Sequence, residues 1–208
     1  MKSRIVLFDI DGTLFDASSF LSDFYRNLTD VFDLSKENID EIQKIYSQNR
    51  EENDYFLPSS FQSKIIDKFP KVQEDKLQKI LWNVDLFEKN VYKDTSVIKD
   101  LSNLAVIGIF SKGDKNFQKQ KIFFLNKLLN DNNIYIFSNK TDRIKEVFEK
   151  YKDYIIYLVD NEGEVLFKAK SLFPNISAVL IDRKNQFQND KNLIKIKDLN
   201  ELKSLIYD

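Results

Sequence analysis

One recurring pattern limits what this chain can fold into. Short, nearly continuous apolar runs occur at residues 4–8, 104–110, 133–137, 154–159, 177–181 and 192–196, each bounded by turn-forming residues. They are rich in Ile and Val and show no in-out alternation, as expected of parallel strands buried on both faces. Between the runs the period becomes helical. Ile144, Val147, Phe148 and Tyr151 repeat at helical spacing, as do Val165, Leu166, Ala169, Leu172 and Phe173. The stretch after Ser111 carries Phe117, Phe124, Leu125 and Leu128, and the C-terminal stretch carries Leu199, Leu202 and Ile206. Strand and helix in alternation predict an α/β fold, a parallel sheet with helices on both faces.

The alternation fails between the first two runs. From 17 to 103 there is no convincing strand, but four helical patterns: Phe20, Phe24, Leu28 and Val31; Ile39, Ile42 and Ile45; Phe61, Ile65 and Phe69; Leu77, Leu81 and Val84. Pro58 and Pro70 punctuate them. A stretch this long exceeds a simple crossover and is expected to form a small helical domain mounted on the sheet.

Two missing residue types restrict the chemistry. The sequence contains no Cys, which removes disulfides, thiolate nucleophiles and cysteine-ligated zinc. It contains no His, which removes imidazole acid–base catalysis and Ser-His-Asp triads. An enzyme built from this chain works with carboxylates, Lys, hydroxyls and an oxygen-ligated hard cation such as Mg²⁺. Net charge is -1, from 32 basic and 33 acidic side chains without a block of either sign, so a tightly held nucleic-acid duplex is not expected. No apolar run approaches bilayer-spanning length, and the opening run is broken by Asp9 and Asp11 instead of forming a secretory leader. The expected location is cytoplasmic, with no membrane partner.

The stretch RIVLFDIDGTLFD, residues 4–16, places Asp9 directly after four apolar residues, with Asp11 two positions on and Gly12-Thr13 breaking the run. A D-G turn after a strand is ordinary by itself. Two acids at the end of a buried strand also suit a carboxylate nucleophile beside a carboxylic acid, close to a metal. Of the four glycines, Gly12, Gly113 and Gly163 follow predicted strands by two to four residues, while Gly108 lies inside one. Turns at the carboxyl ends of parallel strands expose N–H groups suited to an anion such as phosphate.

FDIDGTLFD resembles the first motif of the haloacid dehalogenase (HAD) superfamily, the DxDGT signature of its phosphatases. The superfamily has three further motifs in order, and the chain offers a match to each. LAVIGIFSKGD supplies Ser111, followed by Lys112 and Gly113; IYIFSNKTDRIKEVFEKY supplies Lys140, with Thr141 as a predicted helix N-cap. IIYLVDNEGEVLFKAK supplies Asp160. Here the chain departs from the common pattern: Val159 replaces a Gly, Asn161 stands where a second acid is frequent, and Glu164 is the candidate outer acid.

The resemblance spans essentially the whole chain. It implies a Rossmann-like core from 1–16 and 104–208, with a C1-type helical cap from 17–103. It further implies a Mg²⁺-dependent phosphatase of small phosphomonoesters. Asp9 would attack phosphorus and become an aspartyl-phosphate, and Asp11 would serve as acid and then base. Ser111, Lys140, Lys112 and the Gly12 backbone would hold the phosphoryl group, and Asp9, Asp11 (through its carbonyl), Asp160 and Glu164 the metal. A dehalogenase of the superfamily lacks the second Asp, so Asp11 favours ester hydrolysis. A phosphomutase, and a HAD-like binding or regulatory protein with impaired catalysis, stay open. Substrate reading is expected in the cap around residues 46–56, with Arg50 preferred as a solvated loop residue; the substrate's identity and the oligomeric state are not readable from sequence.

Overall fold

The computed structural model describes residues 3–186 and 193–207. Six strands form one sheet: β1 (Arg4–Phe8), β2 (Val106–Lys112), β3 (Ile134–Phe137), β4 (Ile155–Asp160), β5 (Ser177–Ile181) and β6 (Ile194–Ile196). Their order is β3-β2-β1-β4-β5-β6, and every pairing is parallel. β1 is therefore central, and the winding direction reverses beside it, between β1 and β4. Ligands of open α/β sheets bind at such a switch point, beyond the carboxyl ends of the strands.

The apolar runs are continuous because both faces are covered. Val6 and Phe8 of β1 belong to one buried cluster, while Ile5 and Leu7 belong to another on the opposite face. β1 and β5 coincide with their predicted runs, but β2 is displaced, starting at Val106 and ending at Lys112. Leu104 and Ala105 instead donate to the Leu101 carbonyl at 2.9 and 3.0 Å, ending the preceding helix. At the other end, pairing of Ser111 with Ile136 and of Lys112 with Phe137 carries the ladder past the apolar residues. Of the predicted run 192–196, position 192 lies outside the described residues, as do positions 1, 2, 187–191 and 208 of the predicted core.

Between β1 and β2 run α1 (Ala17–Phe32), α2 (Lys36–Asn53), α3 (Pro58–Lys68), α4 (Glu74–Leu81), α5 (Val84–Lys89) and α6 (Ile98–Leu101). Asp16 caps α1 by accepting from the Ser19 N–H at 3.0 Å, and Ser35 forms a capping box with Asn38 on α2. Pro58 occupies the first turn of α3, where no N–H is needed, and Pro70 follows its end. Phe20, Phe24, Leu28, Phe61, Ile65, Leu77 and Leu81 close the interior of these helices. Val31 and Val84, predicted on the apolar faces, are exposed. Phe32 ends the buried stripe of α1 in place of Val31, and Asn83 caps a fresh helix that turns Val84 outward.

The chain rejoins the sheet before the expected 103. The Tyr92 N–H donates to the Leu14 carbonyl at 3.0 Å, and Asp94 accepts from the Leu199 N–H at 2.9 Å. Arg183 grips both Asp94 oxygens, donates to the Thr13 carbonyl at 2.7 Å and lies 3.8 Å over the Tyr92 ring. Segment 91–101, including α6, thus packs on the sheet, and α1–α5 form the overhanging part.

The remaining helices are α7 (Lys115–Lys121), α8 (Ile144–Glu149), α9 (Gly163–Leu172) and α10 (Leu202–Tyr207). The helical period predicted after Ser111 is interrupted: α7 ends at Lys121, and a 3₁₀ turn follows at Phe123–Leu125. Ile122 and Leu125 take the buried positions there and Phe123 is exposed. Among the described residues, no helix is long and apolar enough to cross a membrane.

Candidate active site

The ladder between β1 and β4 extends one residue past the strand. The Asp9 N–H donates to the Val159 carbonyl at 2.9 Å, which fixes Asp9 beside Asp160, the last residue of β4. Lys140 reaches both from the loop after β3. Its Nζ lies 2.7 Å from Asp9 Oδ1 and 2.7 Å from Asp160 Oδ2. Exposure of Asp9, Lys140 and Asp160 is 5%, 2% and 0%, so one ammonium serves two carboxylates away from bulk water.

That imbalance shows in the protonation equilibria. Burial pushes the Asp160 carboxyl up from 3.8 to about 7, with Lys140 pulling it back and Asp9 adding to the rise. Burial raises Asp9 as well, opposed by Lys140 and reinforced by Asp11 and Glu162. For Lys140, burial alone would favour the neutral amine, but the two carboxylates together hold its pKa above the ordinary lysine value. The cluster sets two carboxyls against one ammonium, and burial favours a proton on the carboxyls.

Local bonds hold these side chains in place. Asn139, not the predicted Thr141, caps the turn around Lys140: its side-chain oxygen accepts from the Thr141 N–H at 3.1 Å and the Thr141 hydroxyl at 2.7 Å. The second oxygen of Asp160 accepts from the Glu162 N–H at 2.9 Å. After Asp9 the chain winds tightly on the Ile10 carbonyl, which accepts from Thr13, Leu14 and Phe15 at 3.2, 2.8 and 2.9 Å. Gly12 has φ +79° and faces the Asn161 amide; a Cβ there would lie 2.5 Å from Asn161 Nδ2. Only glycine meets both demands.

Asp11 points elsewhere. Lys121 Nζ lies 2.7 and 2.8 Å from its two oxygens, and Gln118 Nε2 donates to Oδ2 at 2.9 Å. Ser111 is buried at the end of β2, its Oγ 3.4 Å from the same Gln118 nitrogen. Lys112 pairs at 2.8 Å with Asp54, the left-handed residue that ends α2. Lys112 thereby ties the overhanging helices to the sheet.

A cavity of about 200 Å³ joins these groups. Asp9, Asp11, Ser111, Lys112 and Lys140 line its polar side; Phe15, Phe20, Phe56 and Phe117 line the other, with Tyr46, Arg50 and Tyr55 from the helical insertion. Arg50 sits in the last turn of α2, not in a loop, with its guanidinium 5.9 Å from the Tyr46 ring centre. Asp160 lies behind Lys140. Glu164 is exposed and opens on an adjoining cavity that it shares with Lys140, Asn161 and Glu162. Because α9 starts at Gly163, Glu162 stays at the helix mouth, and Glu164 turns about 200° away from it. Glu162, Gln118 and Lys121 were not singled out from sequence, although Gln118 and Lys121 share a helix face with Phe117.

A hard cation fits this donor set in part. Asp9 and Asp160 present carboxylate oxygens with a single shared counter-charge, and the nearby Asn161 Oδ1 is buried with no hydrogen-bond partner among the described residues. No cluster of three or more acids suited to a metal occurs among the described residues. Any cation would therefore rest on two carboxylates supplemented by neutral oxygens such as the Asp11 carbonyl and water.

No protein-family model and no curated protein matches the sequence. Solved structures do match over nearly the full length. A protein assigned to the haloacid dehalogenase-like hydrolases, from Burkholderia xenovorans LB400, superposes with a TM-score of 0.75 at 19% identity, covering 97% of this chain and 98% of that one. The HAD-hydrolase YfnB from Bacillus subtilis, in a structure bound to magnesium, gives 0.64 at 15% identity with 100% of both chains covered. L-2-haloacid dehalogenase from Xanthobacter autotrophicus, with chloropropionic acid covalently bound, gives 0.64 at 13% identity, covering 99% and 98%. With its six parallel strands wound about a central β1, and superposition from end to end, the chain has the haloacid dehalogenase-like fold.

Proposed function

We propose that the protein is a Mg²⁺-dependent phosphatase that hydrolyses a small phosphomonoester through an aspartyl-phosphate. The observation that carries this reading is the Lys140 ammonium held between Asp9 and Asp160, with Lys140 and Asp9 lining the cavity. Phosphoryl transfer asks a protein chiefly for positioning and charge stabilisation, and this cluster supplies both.

Asp9 attacks phosphorus in line, the bond to the leaving oxygen breaks, and Asp11 delivers a proton to that oxygen. Water then attacks the aspartyl-phosphate, Asp11 takes its proton, and inorganic phosphate leaves with Asp9 restored. Lys140 keeps Asp9 oriented and offsets the charge of the incoming phosphoryl group. The Ser111 hydroxyl and the N–H groups beside Gly12 donate to phosphoryl oxygens, and Lys112 adds positive charge at the cavity wall. Mg²⁺, held by Asp9, Asp160 and the Asp11 carbonyl, would neutralise phosphate charge when bound, with Glu164 at most an outer acid. The overhanging helices exclude water and meet the leaving group.

A dehalogenase uses the same fold, as the Xanthobacter enzyme illustrates. An ester is preferred because a halide needs no proton, whereas the Asp11 carboxyl opens on the cavity where an alkoxide would depart. Phosphate release from an aryl phosphate in Mg²⁺ tests the reading against Asp9→Asn. Turnover is expected for the wild type and background release for the variant; equal rates would reject Asp9 as nucleophile. Recovery of an isomerised phosphate ester with little free phosphate would instead favour a mutase.

A further inference from the structure

The second acid of the opening motif is held by two residues of α7 that the mechanism above does not use. Lys121 contacts both Asp11 oxygens, and Gln118 reaches one of them. We propose, building on the phosphatase reading, that Lys121 and Gln118 are positioning residues that set the Asp11 carboxyl against the leaving-group oxygen.

Three observations support the assignment. First, the pair is unequal in burial: the Lys121 side chain is 7% exposed, between the Phe15 and Phe117 rings at 5.4 and 4.9 Å, while Asp11 keeps 38% exposure on the cavity. A buried ammonium is a poor stability device, since an apolar side chain of similar volume would pack as well without desolvation. What it gives here is a fixed direction for a carboxyl that stays open to a ligand.

Second, Gln118 is tied into the phosphate side of the site. Its amide nitrogen also donates to the Lys112 carbonyl at 2.6 Å and lies 3.4 Å from Ser111 Oγ. Asp11 and the end of β2 are therefore registered to each other through one amide. Third, the turn after β2 is shaped around that amide. Gly113 has φ +144°, and a Cβ there would meet Gln118 Nε2 at 2.9 Å.

Lys121 and Gln118 favour the ionised form of Asp11, so before the first half-reaction the carboxylate takes a proton from the solvent to which it is 38% exposed. It then gives that proton to the departing oxygen and is again a carboxylate facing Lys121. In the second, that carboxylate takes a proton from the attacking water. Lys121 gains and loses no proton in either half; it fixes where the transfer occurs.

The test compares kcat/KM, which reports steps up to the phosphoenzyme, for a p-nitrophenyl ester and a simple alkyl ester. Aryloxide departs with little help, whereas alkoxide requires its proton. Lys121→Met is expected to lower kcat/KM on the alkyl ester by about 10- to 100-fold more than on the aryl ester, part of the roughly 100- to 10,000-fold that general-acid assistance supplies. Asp11→Asn should show the same bias, the double variant should lose little more than either single one, and Lys121→Arg should recover part of the loss. Equal losses on both esters, or no loss on either, would overturn the proposal.

A crystal structure of Lys121→Met reads the same point without turnover. The Asp11 carboxyl should leave its wall position or become disordered, and an unmoved Asp11 would overturn the proposal. A wild type that hydrolyses neither ester, with Asp9→Asn no different, would reject the phosphatase reading instead, and the Asp11 position in that crystal would still decide the role of Lys121.

Discussion

Replacing Lys140 by Met tests the electrostatic account of the site most directly. The methionine fills most of the lysine's volume, so the main loss is the ammonium that faces Asp9 and Asp160 at 2.7 Å each. Removing one member of a buried ion pair costs about 3–5 kcal/mol, because the partner is left charged and unpaired. The size of that cost depends on pH. A carboxyl raised on folding stabilises the fold while protonated, and that contribution is lost as pH rises through its folded value. For Asp160 the rise from 3.8 to about 7, at 0% exposure, corresponds to about 4 kcal/mol lost between roughly pH 4 and pH 7 in the protein without divalent cation. Without Lys140 both carboxyls rise further, so the window moves upward. Urea denaturation at pH 5 and pH 8, in chelator, is the assay. At pH 8 the variant should lose about 3–5 kcal/mol, a midpoint shift of about 1.5 M for a slope of about 2–3 kcal/mol/M. At pH 5, where the acids can take protons, the loss should be smaller by about 2 kcal/mol or more. Equal losses at the two pH values would mean that Lys140 contributes packing and not charge, and would refute the reasoning.

Other substitutions probe separate links. Gly12→Ala forces a Cβ into the Asn161 amide at a left-handed backbone, and should cost about 1–3 kcal/mol by thermal melting together with most of the turnover. Phe24→Ala removes a fully buried ring packed 5.9 Å from Phe61 and should cost about 3–5 kcal/mol by denaturant titration, without altering the pH dependence of the site. Lys112→Ala breaks only a partly exposed pair with Asp54, so stability should change by less than about 1 kcal/mol.

What could be read in the sequence follows from how local each signal is. β1 and β5 were legible because, after a half-buried first residue (Arg4 and Ser177), every residue of these runs meets one of two apolar clusters. The limits of β2 were not, since Ser111 and Lys112 are in the strand only through their partners on β3. Asp9, Asp11, Ser111, Lys140 and Asp160 were singled out through a motif order, and the fold brings Asp9, Lys140 and Asp160 into contact. Lys121 was not: in a chain with 32 basic residues a helical lysine reads as solvated, and its partner Asp11 lies 110 positions away. Glu164 was singled out and Glu162 was not; which of them stands at the helix mouth depends on where α9 begins, and Gly163 between them gives no local signal for that. The boundary of the helical insertion was obscured for a similar reason. Segment 91–101 is helical or irregular like the rest, but Arg183, far downstream, draws it onto the sheet.

The central position of β1 has a consequence during synthesis. Of the six strands of the sheet it is made first, yet Lys140, the counter-ion of the acid that follows it, comes 131 residues after that acid, and β4, one of its two neighbours, later still. Until then a run of Ile, Val, Leu and Phe waits without its sheet, the sort of segment that recruits other nascent chains. Asp9 and Asp11 follow the run at its C-terminal end, and charges so placed disfavour such pairing. The two acids that line the pocket also interrupt the chain's opening apolar stretch.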